Sequence, residues 1–312
     1  GAQRPGMLDS WVAAAPQAGA LLADWSAVAG FDLLDAGRDA TAMADTAVAQ
    51  PLITAAALLS MESLRDRMSL DPDRVLFAGH SVGELAAAAG AGYLTPATAI
   101  TLARARGEFM SAACAASPTG MAAVRPTRRD GRPDESIVAE IHAAGLAVAN
   151  WNGSHQFVAA GPVDRVDGFV AKPPAGTRIT RLDVAGAFHT DAMITARAPF
   201  ARAVAEAPLS EPTSAMLGNS DGAIVAGPAD LRQRLVTQVT SAVRWDLCAA
   251  AIAAQSSPDA LHIELAPAGP LTRLLERARP GVRAIAVRAP EDVDRVVAQD
   301  LGGVGAAVGG GA

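Results

Sequence analysis

The spacing of apolar residues separates this chain into stretches with a helical period and short apolar runs with strand character. Leu8, Trp11, Val12, Leu21, Leu22 and Trp25 recur at helical intervals with a break at Pro16, which predicts two short helices before Ala29. Thr46-Ala47-Val48-Ala49-Gln50-Pro51 opens a strongly helical stretch to about Met68, with Pro51 expected in its first turn, where a missing N–H is tolerated. After a turn at Asp71-Pro72-Asp73, Val75-Leu76-Phe77-Ala78 is an apolar strand, and alanine-rich helix follows from Leu85. Thr95-Pro96 caps and starts another helix, running through Leu102 and Arg106 to about Ala113.

The pattern changes after Ser117-Pro118-Thr119-Gly120. Met121 to Val124 is a short strand and Asp134 to Ala144 a helix. Leu146 to Asn150 and Gln156 to Gly161 are strands around an Asn152-Gly153 turn. Val163 to Phe169 is a helix and Thr177 to Val184 a strand. This β-α-β-β-α-β order predicts a small ferredoxin-like α+β subdomain over 119–184. Around it, strands alternate with helices over 1–118 and 185–300, which argues for an α/β domain with a mainly parallel sheet. Residues 301–312, almost all Gly, Ala and Val, cannot bury a core and are expected to form a disordered tail.

Gly79-His80-Ser81-Val82-Gly83 stands between the apolar strand and the helix that follows, the layout of a nucleophile elbow on a hydrolase-like sheet. So sharp a turn at Ser81 accounts for glycines on both sides, at Gly79 and Gly83. It lifts the Ser81 hydroxyl above the sheet edge and sets the Val82 N–H where an oxyanion would form. The same five residues also fit a glycine-rich turn carrying an inert serine.

Composition narrows the field. Half of the 312 residues are hydrophobic but only 4% are aromatic, so the core is built mainly from Ala, Val and Leu. The net charge is -6, Lys172 is the only lysine, and no basic run stands out, which argues against nucleic acid as a partner. Cys114 and Cys248 have no metal-ligand spacing and read as small core residues. No apolar stretch of membrane-spanning length lacks a polar break, and no signal peptide is visible. The expectation is a soluble, cytoplasmic protein with no membrane partner.

A serine nucleophile needs a base. His80 lies inside the elbow with its side chain directed away from Ser81. His142 and His155 fall in a helix and a polar turn of the inserted region, and His262 alternates within an apolar strand. His189 is different: it follows Asp183-Val184-Ala185-Gly186-Ala187-Phe188 and precedes Thr190-Asp191-Ala192-Met193, a strand-to-helix loop of the kind that would present a base to Ser81.

Three segments occur in order: Gly79-His80-Ser81-Val82-Gly83-Glu84, Arg104-Ala105-Arg106-Gly107-Glu108-Phe109-Met110 and Ala187-Phe188-His189-Thr190. With Thr46 to Pro51, Asn150-Trp151-Asn152, Gln156 to Gly161 and Val243-Arg244-Trp245, they resemble the malonyl-CoA:acyl carrier protein transacylase family over nearly all of the chain up to about Asp300. The resemblance implies malonyl transfer from coenzyme A to the phosphopantetheine thiol of acyl carrier protein, in fatty-acid or polyketide synthesis. No metal or bound cofactor is implied, and a monomer is expected.

By the same resemblance Ser81 is the nucleophile and His189 the general base and acid, in a Ser-His pair whose imidazole is oriented by a main-chain carbonyl placed near Gln255. Asp183 and Asp191 flank His189 too closely to serve as a third member. Arg106 corresponds to the arginine that grips the malonyl carboxylate, and a planar guanidinium suits a carboxylate in a way that a neutral acyl group cannot match. Arg104 lies two positions away on another helix face; periodicity does not choose between the two, but the Arg-Gly-x-x-Met context selects Arg106. Asn152 and Gln156 resemble residues near the pocket, and both also read as ordinary turn and strand residues. Phe188 resembles the malonyl-selecting version of the pattern, its ring leaving little room for an extra methyl group.

One departure stands out. Family members open with a hydrophobic strand and a Pro-Gly-Gln-Gly-(Ser/Ala)-Gln loop whose first Gln joins the oxyanion hole, whereas Gly1-Ala2-Gln3 matches only the end of that loop. Gln3 is therefore given no oxyanion role, and a longer natural protein is expected. Two competing functions are a serine hydrolase, which would release acyl groups to water, and a non-catalytic module that binds carrier protein without acylation of Ser81.

Overall fold

The computed structural model of the protein describes residues 2–127, 134–153 and 155–305, the last six of these as main chain only. Helices α1 (Asp9–Ala14) and α2 (Pro16–Ala29) divide at Pro16 as the pattern predicts. Short α3 (Leu33–Ala36) leads to α4 (Thr46–Arg65), whose N-cap Asp45 accepts from the Ala47 N–H. Because the helix begins at Thr46, Pro51 lies in its second turn rather than its first. α4 is long and apolar enough to cross a membrane, contrary to the sequence expectation, yet 67% of its most apolar window is buried inside the protein. It is a core helix.

Strand β1 (Leu76–Ala78) runs into the elbow, and α5 (Gly83–Gly90) leaves it. α6 (Pro96–Ala116) starts where Thr95 caps the Thr98 N–H, and it packs along α4. The two axes approach closely at Gly107, where a Cβ would stand 2.3 Å from the Thr46 carbonyl oxygen. Leu52, Leu58, Leu85, Ile100 and Leu102 are fully buried between α4, α5 and α6.

The next six elements are β2 (Thr119–Pro126), α7 (Asp134–Ala143), β3 (Ala147–Trp151), β4 (Phe157–Pro162), α8 (Val163–Ala171) and β5 (Thr177–Arg181). Their strands pair antiparallel in the order β5-β2-β4-β3, the ferredoxin-like arrangement expected from the pattern. Ile137, Ile141, Val148, Phe157, Val166 and Phe169 fill the space between this sheet and its two helices.

The chain then continues through α9 (Ile194–Glu206), β6 (Ala215–Leu217), α10 (Pro228–Gln238), β7 (Val243–Arg244), α11 (Trp245–Gln255), β8 (His262–Glu264), α12 (Pro270–Ala278), β9 (Ala284–Ala286) and α13 (Pro290–Gly305). β1 pairs parallel with β6, and β8 parallel with β9, so the expected parallel character is present as two separate pairs among the described residues. β7 pairs with neither. It joins the ferredoxin-like sheet parallel to β3, in register Asn150↔Val243 and Trp151↔Arg244. Arg244 lies over the Trp151 ring, 4.8 Å from its centroid, and is held there by Asp246. Leu301 to Gly305, expected as disordered tail, continue α13; the rest of that tail lies outside the described residues.

Candidate active site

Ser81 sits at the carboxyl end of β1 with φ of 55°, in the left-handed region that non-glycine residues seldom occupy. Gly79 is what permits the turn, since a Cβ there would lie 2.0 Å from the Gly83 carbonyl oxygen. Gly83 is not needed in the same way: a Cβ on it would meet nothing within 4 Å. The expectation of two obligatory glycines is corrected to one, because the chain turns back so that Gly83 main chain crowds Gly79 and not the reverse.

Asn219, two residues past β6, clamps the turn. Its Nδ2 donates to the Gly79 carbonyl at 2.5 Å and its Oδ1 accepts from the Ser81 N–H at 2.8 Å. The Val82 N–H, in the N-cap position of α5, is left without a hydrogen-bond partner among the described residues, as an oxyanion donor would be.

His189 also has a left-handed backbone, with φ of 62°. The loop that carries it is fixed from several sides. Ala187 N–H donates to Thr119 Oγ1 at 2.9 Å, Thr190 Oγ1 donates to the Ala187 carbonyl at 2.6 Å, and Gly186 lets Cys114 Sγ approach where a Cβ would clash. The imidazole is buried. Its Nδ1 lies 2.9 Å from the Gln238 carbonyl oxygen and its Nε2 2.7 Å from Ser81 Oγ. A carbonyl only accepts, so Nδ1 carries the proton and the Nε2 lone pair faces the serine hydroxyl. Burial first, and the Arg106 charge second, push its pKa down from 6.5 to about 3 and hold it as the free base. The orienting carbonyl therefore belongs to Gln238, at the end of α10, and not to Gln255, which is exposed at the end of α11.

Arg106, 2% exposed, projects from α6 next to the Gly107 crossing. That crossing brings Gln50 of α4 within reach: Arg106 Nη1 donates to Gln50 Oε1 at 2.7 Å. Nη2 donates to Gln238 Oε1 at 2.8 Å and lies 3.4 Å from Ser81 Oγ. Each terminal nitrogen carries two N–H groups: the second on Nη2 is directed at Ser81 Oγ, and one on Nη1 is left without a partner among the described residues. No carboxylate touches the guanidinium among the described residues, and burial lowers its pKa to about 10, so it stays charged. Arg104, by contrast, pairs with Glu108 on the surface.

The other predicted residues are less directly engaged. Asn152 Oδ1 lies 3.0 Å from His80 Nε2, and the His80 ring packs against Trp245 at 5.6 Å, behind the elbow. Burial lowers the His80 pKa to about 4. Gln156 Oε1 accepts from Arg277 Nη1 at 3.4 Å. Phe188 is half-buried between the main core and the small sheet. Gln3 donates to the Met43 carbonyl at 3.5 Å.

Three buried residues at the centre were not singled out: Glu84, Asn219 and Gln238. Glu84 Oε1 accepts from the Asn219 N–H at 2.6 Å, while Oε2 accepts from Gln238 Nε2. Burial raises its pKa to about 7 against the opposing pull of the Asn219 N–H and the Arg106 charge. The one available signal was Glu84 itself, an acid among alanines directly after an elbow.

What the fold assembles at the carboxyl end of β1 is a serine hydroxyl with a buried free-base imidazole against it and a buried guanidinium beside it, an arrangement suited to acyl transfer. A family model described as acyl transferase domain matches residues 1–287, and the chain belongs to that family. It is 42% identical over 292 residues to the malonyl CoA-acyl carrier protein transacylase of Mycolicibacterium smegmatis, spanning 92% of this chain and 98% of that one. Its identity to the protein of the same name from Mycobacterium tuberculosis is 41% over 298 residues, spanning 95% and 96%. The crystal structure of MCAT from Mycobacterium tuberculosis superposes with a TM-score of 0.88 at 40% identity, covering 95% of this chain and 96% of that one.

Proposed function

We propose that this chain transfers a malonyl group from malonyl-CoA to the phosphopantetheine thiol of acyl carrier protein by a ping-pong route through malonyl-Ser81. The observation that carries the reading is the convergence on Ser81 Oγ of a free-base imidazole at 2.7 Å and a buried guanidinium at 3.4 Å. His189 Nε2 takes the hydroxyl proton as Ser81 Oγ attacks the thioester carbonyl. The Val82 N–H donates to the developing oxyanion. The C–S bond then breaks, and coenzyme A leaves as a thiol with the proton returned by His189. In the second half the carrier thiol gives its proton to His189 and attacks the ester, and Ser81 recovers its hydroxyl.

Arg106 supplies the selectivity. Its free Nη1 N–H and the Nη2 N–H that rests on Ser81 Oγ form a fork for the free malonyl carboxylate, and a neutral acyl group would leave that buried charge unanswered. The identities to proteins named as malonyl CoA-acyl carrier protein transacylases support the same substrate pair.

The test is stoichiometric. Malonyl-CoA should release about one equivalent of coenzyme A per chain in a burst and leave a malonyl ester on Ser81 by mass. The ester should pass to added phosphopantetheinylated carrier protein faster than to water. Label on a Ser81→Ala variant, or loss of the acyl group to water alone, would refute the assignment.

A further inference from the structure

Glu84 is a fully buried acid with no place in the steps above, and its two oxygens face two different parts of the site. Oε1 accepts from the Asn219 main-chain N–H, and Oε2 accepts from the side-chain nitrogen of Gln238. The same Gln238 nitrogen donates to the Ser81 carbonyl at 3.1 Å, and the opposite end of that amide receives Arg106 Nη2. Resting on the reading of Arg106 as the malonyl clamp, we propose that Glu84 is a positioning residue for acyl selectivity: it holds the Gln238 amide with nitrogen inward and oxygen toward Arg106, and so aims the guanidinium at the acyl group on Ser81.

The argument is one of donors and acceptors. Turned over, the Gln238 amide would set its NH2 against Arg106 Nη2 and its oxygen against the Glu84 carboxylate, two unfavourable contacts in a buried setting. Both oxygens of residue 84 face donors, and only a carboxylate accepts at both. A glutamine has the right shape but accepts at one oxygen alone; the Asn219 N–H is fixed main chain and keeps that oxygen, so its NH2 opposes the Gln238 nitrogen and the support to that amide is lost.

Glu84 also provides the carboxylate charge that stabilises Arg106 from beyond Gln238. Charge and position make opposite predictions. A mere counter-charge would compete with the malonyl carboxylate, so its removal would leave malonyl loading unchanged or faster. A positioning group would be missed.

The experiment measures the acylation rate of Ser81 at pH 8 with malonyl-CoA and with p-nitrophenyl acetate, a neutral acyl donor that does not call on Arg106. For Glu84→Gln we expect malonyl acylation to fall about tenfold or more while acetyl acylation stays within about threefold, since small misplacements of a binding group are costly. Glu84→Asp keeps the charge but withdraws the oxygens, and should show the same selective loss. Gln238→Met keeps the carbonyl that orients His189 but also removes the donor to the Ser81 carbonyl, so it is read by the malonyl-to-acetyl ratio, which should fall about tenfold, and it serves if the Glu84 variants fail to fold. The proposal is overturned if Glu84→Asp behaves as the parent enzyme, if Glu84→Gln holds or gains malonyl activity, or if both donors slow in parallel. Arg106→Ala separates the two levels. If it leaves the malonyl-to-acetyl ratio intact, the reading of the clamp is wrong. If it collapses the ratio while the Glu84 and Gln238 variants do not, the clamp stands and the role of Glu84 is wrong.

Discussion

Gly79 and Gly83 look equivalent in the string Gly-His-Ser-Val-Gly, yet the structure makes only one of them indispensable. A side chain at 79 would drive into the main chain of 83, which cannot move without dismantling the turn. Gly79→Ala should lower unfolding free energy by roughly 3 kcal/mol or more, in the upper range for overpacked sites. Gly83→Ala, in the first turn of α5 with open space around it, should change stability by no more than about 1 kcal/mol, and in the stabilising direction. Urea unfolding of the two variants side by side checks this, and equal losses would contradict it. At this scale the sequence was informative where a side chain does the chemistry. Ser81, His189 and Arg106 each advertise a reactive or charged group in a distinctive local setting. Gln238 does not, because its service to His189 comes from a main-chain carbonyl that any residue possesses. The position near Gln255 was wrong for that reason.

Among elements, β7 is two residues long and passes unnoticed in a hydropathy pattern, since Val243-Arg244 runs straight into a helix. It nonetheless ties the C-terminal part of the chain to the edge of the ferredoxin-like sheet through β3. The tie is reinforced by Arg244 over Trp151, and Trp151 in turn meets Phe157 edge-on at 5.2 Å. Trp151→Ala removes both contacts from a half-buried site and should cost about 2 kcal/mol, below the range for fully buried aromatics. A shift of less than about 0.5 kcal/mol in urea unfolding would show that the ring does not hold the junction. The β-α-β-β-α-β unit itself was legible because its strands are short apolar runs and Gly145, Asn152-Gly153 and Gly176 punctuate them. The division of the parallel strands into two pairs was not, since pairing partners distant in sequence leave no periodic trace.

Across the whole molecule, burial of ionisable groups gives stability a characteristic pH dependence. His189 and His80 are held at about 3 and about 4, below their ordinary 6.5. The unfolded chain therefore takes up those protons first, and the stability present above pH 6.5 is lost as pH falls toward 4 and 3. Glu84, raised from 4.5 to about 7, acts in the other sense: its contribution is whole below pH 4.5 and is lost as pH rises through 7. Between pH 6 and 5 the two histidines outweigh the single acid, so unfolding free energy should fall with acidification on the order of 1 kcal/mol per pH unit. Unfolding across that range checks the slope, and a His80→Asn, His189→Gln double variant, left with Glu84, should reverse it so that stability rises with acidification; an unaltered acid limb would show that other groups govern it. Ser81 and His189 share one further property, a left-handed backbone at 55° and 62°. Bond alignment across the 2.7 Å gap is thus laid down by the main chain, as by a jig, before any side-chain rotation is chosen. A cysteine installed at 81 inherits the same launch point, whereas threonine, with its extra branch on a backbone already crowded at Cβ, does not. The template is open to a change of element from oxygen to sulfur and closed to a change of branching.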